Sequence, residues 1–274
     1  MTITPVALVT GASSGIGEAC ARQLAAAGYR VYGTSRRADS QSSGAFTLLP
    51  LDVTDEQSVD AVIKEVIARE GRIDLLINNA GFGIAPAAAE ESSVEQAWAL
   101  FDTNFMGIVR MTCAVVPHMR RQGSGRIINI GSILGVIAMP YVALYAASKH
   151  AVEGYSEALD HELRTQGIRV SVIEPAYTKT AFDTHTIAPD RPLAEYSTVR
   201  ASVTQTIRQA MNIADTPDDV AQVVVRVAQT GRPKIRYTAG KAAAQLAFLR
   251  RFAPSRVLDK GVRKNLQLDQ VRKS

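Results

Sequence analysis

Cysteine is scarce in this chain: two residues among 274, Cys20 and Cys113, both inside helical patterns and far apart. Neither has a partner at metal-ligand or redox spacing, which excludes a disulfide framework and suits a reducing compartment. No apolar run reaches the length of a membrane span, and Met1 to Pro5 lead straight into an apolar strand without a basic flank. The expectation is therefore a cytoplasmic chain with neither signal peptide nor transmembrane helix. A net positive charge is missing from most of the molecule, although the formal net charge of the whole is +5. Residues 241–274 hold nine Lys/Arg (241, 250, 251, 256, 260, 263, 264, 272, 273) against Asp259 and Asp269, a surplus of seven that leaves residues 1–240 at minus two. With no helix-turn-helix, zinc-finger or RNA-binding signature beside the basic tail, a nucleic-acid partner is not expected.

What is present is a large apolar fraction, 46% hydrophobic residues against 21% charged, enough for one sizeable α/β core. Strands are expected at 6–10, 30–35, 46–51, 73–77, 125–130, 168–173 and 234–237, with helical patterns between them. Val6-Ala-Leu-Val-Thr10 is continuously apolar, as in a strand covered on both faces. Thr54-Asp-Glu-Gln57 reads as the capped start of a helix ending near Gly71.

The first strand runs into Gly11-Ala-Ser-Ser-Gly15-Ile-Gly17 and then a helix. A strand, a glycine-rich turn and a helix start make an anion site, since backbone can approach a pyrophosphate while free N–H groups and the helix dipole meet its charge. The spacing, Gly-x-x-x-Gly-x-Gly, departs from the general Gly-x-Gly-x-x-Gly fingerprint. The second strand ends in Ser35-Arg36-Arg37, where a carboxylate would bond the ribose hydroxyl and an arginine favours a phosphate. NADP(H) is thus the expected cofactor, with Arg36 the better phosphate ligand, Arg37 second, and Asp39 lying past the strand end. Asp52-Val53 closes the third strand, where Asp52 would face the adenine or simply form a turn. Asn78-Asn79-Ala80-Gly81 follows the fourth, able to hold neighbouring strands by side-chain amides and to let a flat cofactor lie close.

A helix over about 93–120 carries an apolar stripe through Val94, Ala97, Trp98, Phe101, Phe105, Ile108 and Val109, with Asn104 on it. A buried amide needs partners, so Asn104 either braces a neighbouring loop or fixes a water or side chain at an active centre. Ser132 ends the fifth strand, a common place for a turn former. Tyr145 and Lys149 are four apart on the next helix, on one face and about 6 Å apart at their β-carbons. An ammonium beside a phenol favours phenolate and makes a general acid/base pair, though the same spacing arises by chance in many helices. Gly154 within that helix suggests that something approaches it.

Thr10-Gly-Ala-Ser-Ser-Gly-Ile-Gly17, Asn78-Asn-Ala-Gly81, Asn104, Ser132 and Tyr145-x-x-x-Lys149, in this order, resemble the short-chain dehydrogenase/reductase family over about residues 5–238. The resemblance implies a single Rossmann-fold α/β domain with a doubly wound seven-stranded parallel sheet in the order 3-2-1-4-5-6-7 and helices on both faces. It implies Tyr145 as proton donor or acceptor, Lys149 as the residue that holds the nicotinamide ribose and lowers the tyrosine's pKa, and Ser132 as a hydrogen bond to the substrate oxygen. Asn104 would position a relay water. Gly11, Ser13, Ser14, Gly15, Ile16 and Gly17 would form the cofactor turn; Asp52, Val53, Asn79, Ala80 and Gly81 would lie on the adenosine side. Pro175, Thr178 and Thr180 would reach the nicotinamide end. Oligomers are also implied, a homodimer or homotetramer pairing the 93–120 and Tyr145 helices.

Where the family usually has Pro-Gly-x-x-x-Thr, this chain has Pro175-Ala176-Tyr177-Thr178-Lys179-Thr180, and alanine restricts the backbone there. Residues 181–213 are placed as a substrate loop with a short helix. Phe182, Tyr177, Leu134, Val136, Met139 and Tyr141 would line an apolar pocket for a lipophilic alcohol or ketone, or serve as ordinary packing. The stretches 31–36 and 179–182 look most like the steroid- and retinol-dehydrogenase-like branch. Two helical pieces follow Gly240, split at Pro254; a cap over the substrate mouth or a subunit contact is favoured over attachment to an anionic membrane surface. The expected activity is reversible carbonyl reduction or alcohol oxidation. A non-catalytic nicotinamide sensor and a membrane-surface lipid oxidoreductase are the competing readings.

Overall fold

Alternation of side chains along β1 (Val6–Val9) sends Leu8 to one face and Ala7 and Val9 to the other, and all are buried. The computed structural model describes residues 4–37, 41–42, 44–180, 186–266 and 268. The strands are β1, β2 (Arg30–Ser35), β3 (Gln41–Ser42), β4 (Thr47–Pro50), β5 (Leu75–Asn78), β6 (Gly125–Ile130), β7 (Ile168–Pro175) and β8 (Arg236–Ala239). They lie in the order β3-β4-β2-β1-β5-β6-β7-β8. Leaving out the two-residue β3, which pairs antiparallel at the edge, the seven remaining strands are parallel and keep the expected 3-2-1-4-5-6-7 order.

Helices cover both faces, as an all-parallel sheet requires. On one side, α2 (Glu56–Glu70), α4 (Gly107–Gln122) and α5 (Ala143–Leu163) pack Val59, Ile63, Met111, Val115 and Leu159 against Leu8, Leu76, Ile127 and Val170. On the other, α1 (Gly15–Ala26) and α7 (Pro217–Gln229) pack Cys20, Leu24, Val220 and Val224 against Ala7, Val9, Ile77 and Ile128. Asp55, rather than Thr54, caps α2 by accepting from Gln57 and Ser58 N–H, because the Thr54 hydroxyl is committed to Asp52 Oδ1 at 2.7 Å.

The expected 93–120 helix is α3 (Val94–Phe101), a π-turn (Asp102–Met106) and α4 in succession. It is long and apolar enough to cross a membrane, but Leu100, Ile108, Met111, Val115 and Met119 are buried within the domain. Its core face differs from the expected stripe. Val94 and Trp98 are each 67% exposed, whereas Gln96, Leu100, Asn104 and Ile108, at steps of four, face inward. Gln96 can be buried because its amide donates to Ala188 O at 2.8 Å. Gly154 also differs: no described atom lies within 4 Å of where its Cβ would stand.

After β7 the chain forms α6 (Ser197–Asn212), and after β8 come α8 (Lys241–Phe252) and α9 (Ser255–Asn265), split at Pro254 as expected. Leu266 is fully buried against Val199 and Val203 of α6, alongside Met139, Tyr141 and Tyr196.

Candidate active site

β1 has its partners β2 and β5 on opposite sides, and the chain leaves those strands in opposite directions. Ligands in open parallel sheets bind at the carboxyl ends beside such a switch point. The glycine turn lies there. Gly11 and Gly15 have left-handed φ of 65° and 60°, which Cβ-bearing residues rarely adopt. A Cβ on Gly17 would stand 2.2 Å from Gly11 O and 2.4 Å from Asn79 Nδ2, so only glycine lets the helix start this close to the turn. No side chain caps α1 at Ser14, leaving its first N–H groups available to an anion. Ser13 is exposed, while Ile16 packs on the core.

Asn79 holds neighbouring strands, as its side-chain amide allowed. Its amide donates to Thr10 O (2.9 Å) and Gly11 O (3.0 Å), while the Thr10 hydroxyl accepts from Asn79 N–H (2.9 Å) and Ala80 N–H (3.0 Å). Thr10 and Asn79 therefore lock the turn to the end of β5, and a cradle shaped by Gly11, Gly15 and Gly17 fits a nucleotide pyrophosphate. Arg36 and Arg37 are both exposed at the end of β2, with Asp39 outside the described residues. Asp52 forms a turn, accepting from Thr54 N–H at 2.9 Å. Burial raises its pKa, but the Thr54 hydrogen bonds and the nearby Arg36 and Arg110 charges outweigh this and hold the carboxyl below its usual value. Val53 is buried against Gly107.

Asn104 sits in the π-turn, a distortion frequent at functional sites. Its side chain accepts from Phe82 N–H at 3.0 Å and donates to Phe82 O at 2.9 Å. The amide braces the loop after Gly81, one of the two roles expected for it. A Cβ on Gly81 would stand 3.0 Å from the same amide oxygen.

Ser132, Tyr145 and Lys149 come together. Ser132 ends β6 and accepts from Leu134 N–H at 3.1 Å; its side chain also hydrogen-bonds the Tyr145 hydroxyl. Lys149 Nζ is 5.7 Å from the Tyr145 ring centre and donates to Ile130 O at 2.9 Å. The protonation balance differs from expectation. Burial pushes the Tyr145 phenol up to about 12, opposed only by the Ser132 hydrogen bond, although part of the ring still reaches solvent. Lys149 is drawn down to about 8 by burial, against the pull of Glu153. Withdrawal from water dominates both groups, so the net shift of the tyrosine is upward.

Behind Lys149 lies an acid cluster that the sequence reading missed. Glu153 and Glu174 are buried, and Arg236 Nε lies 2.9 Å from Glu153 Oε2 and 3.7 Å from Glu174 Oε1. Neither Glu153 Oε1 nor Glu174 Oε1 has a hydrogen-bond partner among the described residues. Burial and the neighbouring Glu153 raise Glu174 to about 7, against Arg236. Two signals were available: Glu153 is four residues after Lys149, and Glu174 ends an apolar strand.

The nicotinamide-end residues lie where β7 ends. Pro175 is buried, and Thr178 pairs with Asp215. The Thr180 side chain lies 3.3 Å from where a Cβ on Gly15 would stand. Tyr141, at φ 66°, is the only non-glycine described residue with left-handed backbone, so Ala176 causes no such strain. A cleft opens beside Tyr145, lined by Ile84, Ala87, Tyr141, Val142 and Leu144. Tyr177 adds its hydroxyl 3.6 Å from Met139 Sδ; Phe182 lies outside the described residues. One wall is pegged by Glu91, fully buried, which accepts from Leu193 N–H at 2.8 Å and pairs with Arg200 of α6. Tyr196 OH donates to Glu90 at 2.5 Å, so α6 is tied to the body of the domain at two points.

This arrangement of fold and side chains is that of a short-chain dehydrogenase/reductase, and the chain belongs to that family: the short chain dehydrogenase model matches residues 5–190. It is similar to the 3-ketodihydrosphingosine reductase of Bacteroides thetaiotaomicron, at 46% identity over 177 residues, a match spanning 65% of each chain. Mouse 17-beta-hydroxysteroid dehydrogenase type 1 is 33% identical over 91% of this chain and 78% of its own. A solved short-chain dehydrogenase from Streptomyces avermitilis superposes with TM-score 0.79 at 30% identity, covering 100% and 98% of the two chains. ElxO with NADP bound (TM-score 0.74, 25% identity, 88% and 99% covered) and a Brucella melitensis 3-ketoacyl-(acyl-carrier-protein) reductase with NADH (0.73, 26%, 85% and 96%) show both nicotinamide cofactors among its neighbours.

Proposed function

We propose that the chain is an NADP(H)-dependent oxidoreductase that interconverts a lipophilic ketone or aldehyde and its alcohol. The observation that carries this reading is the meeting of Ser132, Tyr145 and Lys149 beside an apolar cleft, at the end of the sheet where the glycine turn lies. When bound, the nicotinamide supplies or accepts the hydride. The chain's own residues do the rest. Ser132 donates a hydrogen bond to the carbonyl oxygen, where negative charge grows, and Tyr145 delivers the proton to that oxygen. A phenol near 12 is a good donor to a developing alkoxide. Lys149, near 8, keeps a substantial ammonium fraction at neutral pH, and its charge stabilises the phenolate that remains. An intact acid/base set speaks against a sensor without turnover.

The relatives named for a sphingoid ketone and a hydroxysteroid support the lipophilic class and the steroid- and retinol-like branch. The exposed Arg36 supports the phosphorylated cofactor, tempered by Asp52 close to it. Outward-facing Val94 and Trp98 support pairing of subunits through α3 and α4. Steady-state assays on a panel of lipophilic ketones with both cofactors test the reading. Arg36→Ala is expected to raise KM for NADPH about tenfold or more and to leave NADH within about twofold, a charge-assisted phosphate contact being worth at least 1.4 kcal/mol. Equal effects on both would reject the cofactor assignment.

A further inference from the structure

α8 is attached inside out. Its protein-facing residues are small, Ala243 buried and Ala247 half-buried, and its firmest polar tie is Arg250 Nε donating to Val136 O at 3.1 Å. Its large apolar side chains turn outward: Leu246 is 38% exposed, Phe248 63%, Leu249 43% and Phe252 64%, with Val257 of α9 at 55%. These are five of the eleven exposed large hydrophobic residues of the described chain, gathered within twelve positions. Phe248 and Phe252 stack with ring centres 4.7 Å apart, and the Arg251 guanidinium lies 5.6 Å from the Phe252 ring. By contrast α9 sits the usual way round, with Val262 and the following Leu266 packed against α6. The inner faces of the two helices are thus taken up by the domain, and the outer face of α8 is left exposed.

Charge decides what covers it. Residues 241–265 hold seven basic side chains against Asp259, a net +6, while residues 1–240 are negative overall. Pairing this face with a second copy would oppose two such cationic surfaces. An anionic bilayer complements them, taking the aromatic side chains into the acyl boundary and the arginines at the headgroups. We propose that the outer face of α8, with Val257 and the basic residues of α9, docks the protein on anionic membrane surfaces. The inner side of α8 meets the turn at Val136, and α9 lies with Met139 and Tyr141 against α6.

The test is co-sedimentation of the full chain with vesicles of phosphatidylglycerol and phosphatidylcholine, and with phosphatidylcholine alone. Binding to the anionic vesicles is expected, weakened severalfold by raised salt and at least tenfold by Phe248→Ser/Phe252→Ser. Arg251→Glu/Arg256→Glu is expected to reduce it similarly. All four sites are exposed, so unchanged melting curves will confirm intact variants; if the phenylalanine pair fails to fold, the charge pair decides. No binding by the wild type, equal binding to neutral vesicles, or binding indifferent to both variants overturns the proposal. Dissociation of an oligomer by the phenylalanine pair, without vesicle binding by the wild type, would assign the face to a second copy. The readout needs no turnover, so it stands or falls apart from the proposed reaction.

Discussion

The glycine turn and the C-terminal helices are fastened to the same sheet by opposite means. Around the turn, backbone approaches so closely that Gly17 has no substitute, and the Thr10 hydroxyl and the Asn79 amide N–H groups hold it. In α8 and α9 contact is through alanines and a short apolar row, and Gly261 has no described atom within 4 Å of where a Cβ would stand. A site that must meet a fixed phosphate geometry is built from steric necessity, whereas a region that meets apolar surfaces is built from loosely specified bulk.

Substitution of the two glycines should expose this difference most strongly. Gly17→Ala forces a Cβ into Gly11 O, and overpacking of this kind is expected to cost about 3 kcal/mol, read as a lowered denaturant midpoint, with loss of nucleotide binding. A neutral Gly17→Ala would erase the contrast. The buried cluster behind Lys149, where Glu153, Glu174 and Arg236 meet, predicts a smaller effect that depends on pH. Glu174 is raised from 4.5 to about 7, so the folded protein binds more protons than the unfolded chain between those values. Its contribution, about 3 kcal/mol in full, is complete below pH 4.5 and is lost as pH rises through about 7, with roughly three-quarters of the loss falling between pH 5 and 8. Urea titrations from pH 5 to 8 should show that decline in the wild type and a flatter profile in Glu174→Gln. Identical slopes would remove the acid pair from the account. Smallest is Gly261→Ala, expected to stabilise by about 0.5–1 kcal/mol because a helix gains alanine with nothing in its way.

What could be read from the chain follows the same division. β2 and β6 have the expected limits, and the sheet order follows from motifs whose residues are sterically forced. Tyr145 and Lys149 meet as their spacing implied, and Ser132 joins them as the family resemblance implied. The stripe on α3 did not hold, because apolar character cannot distinguish a core face from an uncovered one; Gln96 faces inward only through a partner 92 residues away. Asn104 was legible as a buried amide and Asn79 as one that holds neighbouring strands, but which backbone each would hold depends on loops brought together by folding. The direction of the tyrosine shift was missed for a similar reason: proximity to Lys149 is visible in spacing, whereas the loss of water around both groups is not.

Rapid-mixing measurement of hydride transfer in Tyr145→Phe, alongside nucleotide binding by fluorescence, is the most direct test that the phenol supplies the proton. Transfer to the ketone is expected to slow by about 10²–10⁴-fold while the affinity for NADPH changes by less than about threefold. A variant that transfers hydride within a factor of about three of the wild type would contradict it.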